Sequence, residues 1–127
     1  MFFSVTNIEK RLCSTNDFQR LPHIEKRYGG LWFKCKSRGF FVHVSLEKES
    51  DGLDWFRVQI LRRSRLPSFD DVNYVRHLAF DPRFRVIVDF PPGREYFQTR
   101  KDNVVSLYGC PIMALPVFKN PLTQVAI

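Results

Sequence analysis

The segment from Asp54 to Phe90 constrains the fold most, because its hydrophobic pattern changes from that of a strand to that of a helix and back. Residues 54–61 alternate between apolar and polar side chains, which predicts a strand with one buried face. Residues 68–79 place apolar side chains three and four positions apart, which predicts an amphipathic helix. Residues 85–90 return to a strand-like hydrophobic run. This order of elements indicates a domain that mixes α and β structure.

The start of the helix is the best-determined point of this segment. Ser68 can accept hydrogen bonds from the free N–H groups of the first helical turn, and Pro67 keeps the chain extended up to that cap. Asp70 and Asp71 place negative charge at the positive end of the helix dipole. We expect one stripe of the helix to be buried and the opposite stripe to be exposed. The buried stripe is predicted to hold Val72, Val75, Leu78 and Ala79, and the exposed stripe Phe69, Asn73, Arg76 and His77.

Upstream of this segment, the sequence predicts two more strands. Residues 31–36 and 40–46 alternate with a period of two and are joined to each other and to residues 54–61 by short loops, which predicts an antiparallel meander. In residues 1–30 the sequence predicts short helical pieces. One begins at Thr6, and another begins at Thr15 and ends before Pro22. The side chains expected on the inner face of the meander include Phe33, Cys35, Phe40, Val42, Val44, Leu46, Phe56, Val58 and Ile60.

Three features downstream complete the predicted fold. The run Val86–Val88 is apolar on both faces, which predicts a central strand that is covered on both sides. Residues 103–108 predict the last strand. Residues 111–127 hold three prolines and many apolar side chains, so they predict an extended arm that packs on the domain or on a partner. The predicted fold class is therefore α+β, a mostly antiparallel sheet of about five strands with one main helix, an irregular N-terminal segment and an extended C-terminal arm.

The charge balance favours an anionic partner. The 127 residues include 20 Lys and Arg against 13 Asp and Glu, which gives a net charge of +7 and favours nucleic acid without specifying it. A basic domain without such a partner is the alternative. The length and an apolar content of 44% fit a single domain over residues 1–127. The sequence predicts no signal peptide and no membrane span, and its cysteines (Cys13, Cys35 and Cys110) predict reduced thiols.

The outer face of the meander is the predicted binding surface. Aromatic and basic side chains interleave there, and these are the ingredients of a platform on which bases stack while cations neutralise phosphates. The alternative is that the terminal segments cover these aromatic rings as a second core layer. The predicted nucleic-acid-binding residues are Trp32, Lys34, Lys36, Phe41, His43, Trp55, Arg57, Arg62, Arg63 and Arg65. The predicted partner-binding residues of the arm are Ile112, Leu115, Val117 and Phe118.

The sequence predicts no catalytic, metal or cofactor site. His23, His43 and His77 lie in different elements, and no nucleophile signature surrounds any cysteine. No two Cys or His residues have metal-ligand spacing, and no Gly-rich phosphate loop is present. A metal-dependent nuclease needs two carboxylates and a lysine near a metal-bound phosphate. Asp89 and Glu95 are the only candidates, and no lysine stands two residues after the second acid.

Five short motifs follow one another between residues 54 and 111. They are a tryptophan-led strand, an Arg-x-Pro sequence before a capped helix with two acids, a hydrophobic strand that runs into a double proline, an acid-tyrosine pair and a short last strand. In this chain they read Trp55-Phe56-Arg57-Val58, Arg65-Leu66-Pro67-Ser68-Phe69-Asp70-Asp71-Val72, Val86-Ile87-Val88-Asp89-Phe90-Pro91-Pro92, Glu95-Tyr96 and Ser106-Leu107-Tyr108. In this order they resemble a family of short phage- and prophage-encoded proteins catalogued as a domain of unknown function. Phe90 stands where that family often has histidine, and Gly109 where it often has tryptophan.

The resemblance implies a phage or prophage gene that acts in the cytoplasm of a bacterial host or in a virion, and it implies no activity. Together with the basic aromatic face, it predicts a non-enzymatic accessory protein that binds nucleic acid or a host nucleoprotein complex. A host target of this kind would make the protein an inhibitor of a defence system. The structural alternative is a small virion or assembly protein that docks through its arm. The second alternative is the small metal-dependent nuclease.

Overall fold

The computed structural model describes residues 5–48, 54–89 and 103–112. The helices are α1 (Val5–Cys13), α2 (Pro22–Tyr28) and α3 (Phe69–Ala79). The strands are β1 (Phe18–Arg20), β2 (Leu31–Cys35), β3 (Phe41–Lys48), β4 (Asp54–Leu61), β5 (Phe84–Asp89) and β6 (Val104–Pro111). They form one antiparallel sheet in the order β1-β2-β3-β4-β6-β5. The α+β prediction is confirmed, with six strands in place of about five.

One face of the sheet, the inner face, forms the core together with α1 and α3. Alternate side chains of each central strand are buried there, so the strand period of two produces a continuous apolar layer. Helix α1 adds Ile8 and Leu12 to this layer. The predicted meander is confirmed as β2, β3 and β4. The fully buried strand residues of this core are Phe33, Cys35, Val42, Val44, Val58, Ile60, Val105 and Leu107.

The predicted helix cap is confirmed at α3. Asp71 N donates to Ser68 Oγ at 3.1 Å, and Ser68 N donates to Asp71 Oδ2 at 3.0 Å, so the two residues form a reciprocal capping box. Val72, Val75 and Ala79 are buried against the sheet. Because the cap fixes where the helix begins, it also fixes which stripe of α3 meets the core, and the predicted exposed stripe faces away from it.

The prediction of a second helix from Thr15 is wrong. The chain turns at Asn16, whose φ is 61°, and then forms β1, which pairs with β2 so that Phe18 lies opposite Cys35. Pro22 begins α2 instead of ending a helix. The physical reason is that proline lacks an N–H, and the first helical position needs no N–H donor because that group would have no partner within the helix.

The prediction that residues 86–88 form a central strand is also wrong. Strand β6 enters the sheet between β4 and β5, so β5 pairs with a single neighbour among the described residues. Ile87 lies opposite Tyr108, on the face of the sheet away from the core, and is 45% exposed, so the strand is not covered on that face at this position. Strand β6 extends beyond the predicted end at residue 108 to Pro111, and Ile112 after it is exposed. Residues 113–127 of the arm lie outside the described residues, and with them the predicted partner-binding residues Leu115, Val117 and Phe118. The double proline at residues 91–92 and the loop between β3 and β4 also lie outside them.

Candidate nucleic-acid interface

The face of the sheet opposite the core, the outer face, carries most of the predicted nucleic-acid-binding residues of β2, β3 and β4. Strand pairing arranges them in rows across the sheet, because residues opposite each other on neighbouring strands share a face. In these rows Lys34 lies opposite Phe41, Trp32 opposite His43, and Glu47 opposite Trp55. The same face also holds Ser45, Arg57, Gln59, Ser106 and Tyr108.

An aromatic stack stands on β2 and β3. The rings of Trp32 and His43 lie 4.4 Å apart between centroids with an angle of 19° between their planes. Trp32 Nε1 donates to the Gly29 carbonyl at 3.1 Å, and His43 Nε2 lies 3.2 Å from the same oxygen. His43 Nδ1 lies 3.1 Å from Gln59 Oε1. Polar contacts on both sides of the imidazole therefore hold the stack in a fixed orientation.

Gly30 makes this arrangement possible. Its φ is +68°, and a Cβ atom there would lie 2.4 Å from His43 Nε2 and 2.8 Å from the Val44 carbonyl oxygen. Only glycine adopts such a backbone conformation without strain and leaves space for the imidazole. Gly30, directly before β2, thus shapes the edge of the outer face.

The cations of the outer face differ in their availability. Lys34 and Lys36 are exposed. Arg57 is held by Glu47, with 3.0 Å between Nη1 and Oε1. The Nε of Arg57 and the hydroxyl of the opposing Ser45 are buried without a hydrogen-bond partner. A buried unpaired donor is rare in folded proteins, so this row is the least satisfied polar part of the outer face.

The three predicted arginines of the turn after β4 do not share one surface. Arg63 lies on the outer side, with its guanidinium 5.8 Å from the centroid of the Phe41 ring. Arg62 points to the opposite side, where Nε and Nη2 donate to Asp71 at 2.8 and 3.1 Å. Arg65 approaches Asp71 from outside, at 3.9 Å. The turn therefore wraps the end of the sheet from the outer face to the start of α3.

Asp71 is the charged centre on the helix side, and sequence reasoning assigned it only a role in the helix dipole. Its residue surface is 2% exposed. Burial by itself would raise the pKa of Asp71, but the hydrogen bonds from Arg62 and Ser68 outweigh burial and lower the pKa to about 2. Asp71 is thus a buried carboxylate that remains ionised because its donors are already in place.

A second polar cluster, which the sequence did not reveal, joins distant segments on the helix side. Asp17 Oδ2 accepts hydrogen bonds from Tyr74 Oη and Ser37 Oγ, both at 2.6 Å, and from Cys35 Sγ at 3.4 Å. The bonds from Ser37 and Tyr74 lower the pKa of Asp17 to about 2. The bond to Asp17, together with burial, raises the pKa of Tyr74 to about 12. Asp17 and Tyr74 are 57 positions apart, so no local motif could have indicated this contact.

Within residues 5–48, 54–89 and 103–112, no group of three or more His, Cys, Asp or Glu side chains is placed to hold a metal ion. The cysteines are free thiols, with Cys13 exposed and Cys35 and Cys110 buried. Asp89, one nuclease candidate, is exposed at the end of β5, and Glu95 lies outside the described residues. None of the helices in these ranges is long and apolar enough to span a membrane.

Comparison with known proteins adds no relative. The chain matches no family model, no curated protein and no solved structure. The resemblance to the phage and prophage family therefore stays a prediction.

Proposed function

We propose that this chain is a non-enzymatic phage or prophage accessory protein whose outer face binds single-stranded nucleic acid. The observation that carries the proposal is the interleaving of aromatic rings and cations in adjacent rows of the sheet. Phe41, Trp32, His43 and Trp55 are half-buried, and Trp32 and His43 stack on each other. Sheet platforms of this kind bind RNA and single-stranded DNA by stacking bases on such rings.

The charges around these rings suit the phosphate backbone. Lys34 and Lys36 are exposed beside Phe41, and Arg63 lies over its ring. Each phosphate that a cation neutralises on a single strand contributes about 0.7 to the slope of log affinity against log salt. Three exposed cations therefore predict a slope of about 2. Stacking tolerates every base, so we expect little sequence specificity from this face.

Variants of Phe41 give the sharpest test, because they separate the effect of the aromatic ring from the effect of an apolar side chain. Phe41→Leu keeps an apolar side chain but removes the ring, whereas Phe41→Tyr keeps the ring. Base stacking is worth about 1–3 kcal/mol per base, so Phe41→Leu should weaken binding by about 5- to 150-fold and Phe41→Tyr should not. Fluorescence anisotropy with short labelled single-stranded DNA and RNA, and with duplexes, measures both across a salt series.

A charge control accompanies these variants. Lys34→Ala should weaken binding and lower the salt slope, whereas Arg76→Ala removes an equal charge from the exposed stripe of α3, on the opposite side of the sheet, and should change little. Thermal unfolding of every variant checks that the fold is intact. Absence of binding by the unmodified protein at low salt would refute the proposal. Binding with a steep salt slope but equal affinities for the leucine and tyrosine variants would show that the nucleic-acid strand does not stack on Phe41.

The arm-docking alternative rests mainly on residues outside the described part, and no described contact argues for it.

A further inference from the structure

The turn after β4 and the turn after β2 bring arginines together around Asp71. Arg62 donates to both carboxylate oxygens, while Arg38 lies 3.5 Å from Oδ1 and Arg65 lies 3.9 Å from Oδ2. The side chain of Asp71 is 3% exposed and that of Arg62 is 14% exposed, so these two form a buried pair. The side chains of Arg38 and Arg65 are 37% and 56% exposed, so they stand on the solvent side of that pair.

Asp71 cannot satisfy the two outer arginines. A carboxylate accepts about four hydrogen bonds, and Arg62 and the Ser68 N–H already supply three of them. Arg38 and Arg65 stay at distances too long for ordinary charge-assisted hydrogen bonds. Arg65 donates to the Leu66 carbonyl at 3.2 Å, and the guanidinium of Arg38 lies 4.6 Å from the centre of the Tyr74 ring. Among the described residues, no other acceptor lies within hydrogen-bond distance of either guanidinium.

The surrounding charge is unbalanced in the same direction. Residues 36–38 and 62–71 contain five cations and two acids, with Asp17 as a third acid that is engaged by Ser37. Positive charges held this close raise the local potential and attract an anion. Arginine suits a phosphate group in particular, because its planar fork of donors matches two phosphate oxygens. The cations are Lys36, Arg38, Arg62, Arg63 and Arg65.

This group lies at the end of the sheet, where the turn after β4 passes from the outer face to the start of α3. Arg63 lies over Phe41, which occupies the last row of the outer face before the turns begin, and Arg65 stands two residues further along the same turn. A nucleic-acid strand that stacks a base on Phe41 would therefore have its neighbouring phosphate at the end of the sheet. Arg38 and Arg65 present their free hydrogen-bond donors there. Lys36 directly follows β2 and is exposed at the same end of the sheet.

We propose that Arg38 and Arg65 form a clamp for one phosphate group of the bound strand, supported from beneath by the buried pair of Arg62 and Asp71. The source of the phosphate rests on the proposed function of the outer face, whereas the clamp itself follows from the arrangement of the arginines. The group that binds is an internal phosphodiester or the terminal phosphate of the strand. Both present two or more oxygens to the two guanidiniums.

The test compares two double variants with equal charge loss. Arg38→Ala with Arg65→Ala should weaken oligonucleotide binding at least tenfold and lower the salt slope by about 0.7 for each phosphate no longer neutralised. Lys10→Ala with Arg76→Ala removes two exposed cations of α1 and α3 and should change affinity less than twofold. Replacing the clamp pair by lysines should recover only part of the affinity, because an ammonium group cannot make the planar two-point contact.

Two further arms locate the phosphate. If a 5′-phosphorylated strand binds more tightly than its 5′-hydroxyl form, and the Arg38 and Arg65 double variant loses this difference, then the clamp binds a terminal phosphate. Equal affinity of the two forms, with the loss in the double variant retained, assigns it to an internal phosphodiester. Equal losses in the clamp variant and the control variant would overturn the clamp and leave the outer-face proposal intact.

Inorganic phosphate separates the clamp from the proposed function. Titration of the unmodified protein should shift the side-chain N–H resonances of Arg38 and Arg65, and the Arg38→Ala and Arg65→Ala single variants should assign these signals. If no oligonucleotide binds but these shifts occur, the clamp stands and the outer-face function fails. If neither oligonucleotide nor phosphate affects the two arginines, the clamp is refuted as well.

Discussion

Arg62 and Arg63 are neighbours in sequence that lie on opposite sides of the sheet, so replacing each by alanine separates stability from binding. Arg62→Ala removes hydrogen bonds of 2.8 and 3.1 Å from Asp71, which is 2% exposed. Loss of one partner of a buried ion pair destabilises a protein by about 3–5 kcal/mol, because the remaining charge is buried without compensation. Here Ser68 still donates to Asp71 at 3.0 Å, and two further guanidiniums lie 3.5 and 3.9 Å away. We therefore expect a loss of about 2–3 kcal/mol.

Urea and thermal denaturation, followed by circular dichroism, measure this loss. In a chain of 127 residues, 1 kcal/mol changes Tm by about 3–5 °C, so Arg62→Ala should lower Tm by roughly 6–15 °C. Arg63→Ala is the matched control and should stay within about 0.5 kcal/mol of the unmodified protein, because its side chain is exposed.

The reasoning is refuted if Arg62→Ala costs less than about 1 kcal/mol. A double-mutant cycle checks the cause. In an Asp71→Asn background, no uncompensated carboxylate remains, so Arg62→Ala should cost at least about 1 kcal/mol less than in the unmodified protein.

Three further predictions concern Asp71, the contact of Tyr74 with Asp17, and the packing of Gly109 against Phe80. The pKa of Asp71 is lowered from its ordinary value to about 2, so its ionised form stabilises the fold above about pH 4. About 2 kcal/mol of the free energy of unfolding is lost as the pH falls towards 2. Urea midpoints measured across this range should show the loss, and Asp71→Asn should flatten the pH dependence. Tyr74→Phe removes the hydroxyl that donates to Asp17 at 2.6 Å and should cost about 1–2 kcal/mol in urea denaturation. Gly109→Ala places a Cβ 2.3 Å from the Phe80 ring and should cost about 1–3 kcal/mol, of which Phe80→Leu should restore part.

Local patterns predicted the elements whose causes are local. The period of two identified β2, β3 and β4, and the Ser68 cap identified the start of α3. Strand β1 was missed because three residues are too few to show a period, and its pairing with β2 is a tertiary contact. Strand β5 was wrongly placed in the sheet centre because an apolar run does not reveal its neighbours. Its edge position depends on β6, which is more than a dozen residues away in sequence.

The candidate site was predictable as a set of residues but not as a set of interactions. The alternation of the strands correctly placed Trp32, Phe41 and Arg57 on the outer face. It could not show that Arg57 is paired with Glu47, because the registry of two strands depends on the hairpin that joins them. The cluster around Asp17 was equally hidden, since its donors come from two segments, residues 35–37 and α3, that are distant from Asp17 in sequence.

The orientation of Arg62 was nevertheless present in the sequence pattern. Ile60 faces the core and Leu61 faces outward, so continuing the alternation past the end of β4 places Arg62 inward and Arg63 outward. An inward arginine at the end of a buried strand needs an acid from whatever packs on that face, and Asp71 in the first turn of α3 supplies it. The net charge of +7 therefore overstates what a bound strand can use. Lys34, Lys36, Arg63 and one clamped phosphate predict a salt slope of about 2 to 3, and Arg62 and Arg57 add nothing to it because each is already neutralised within the fold.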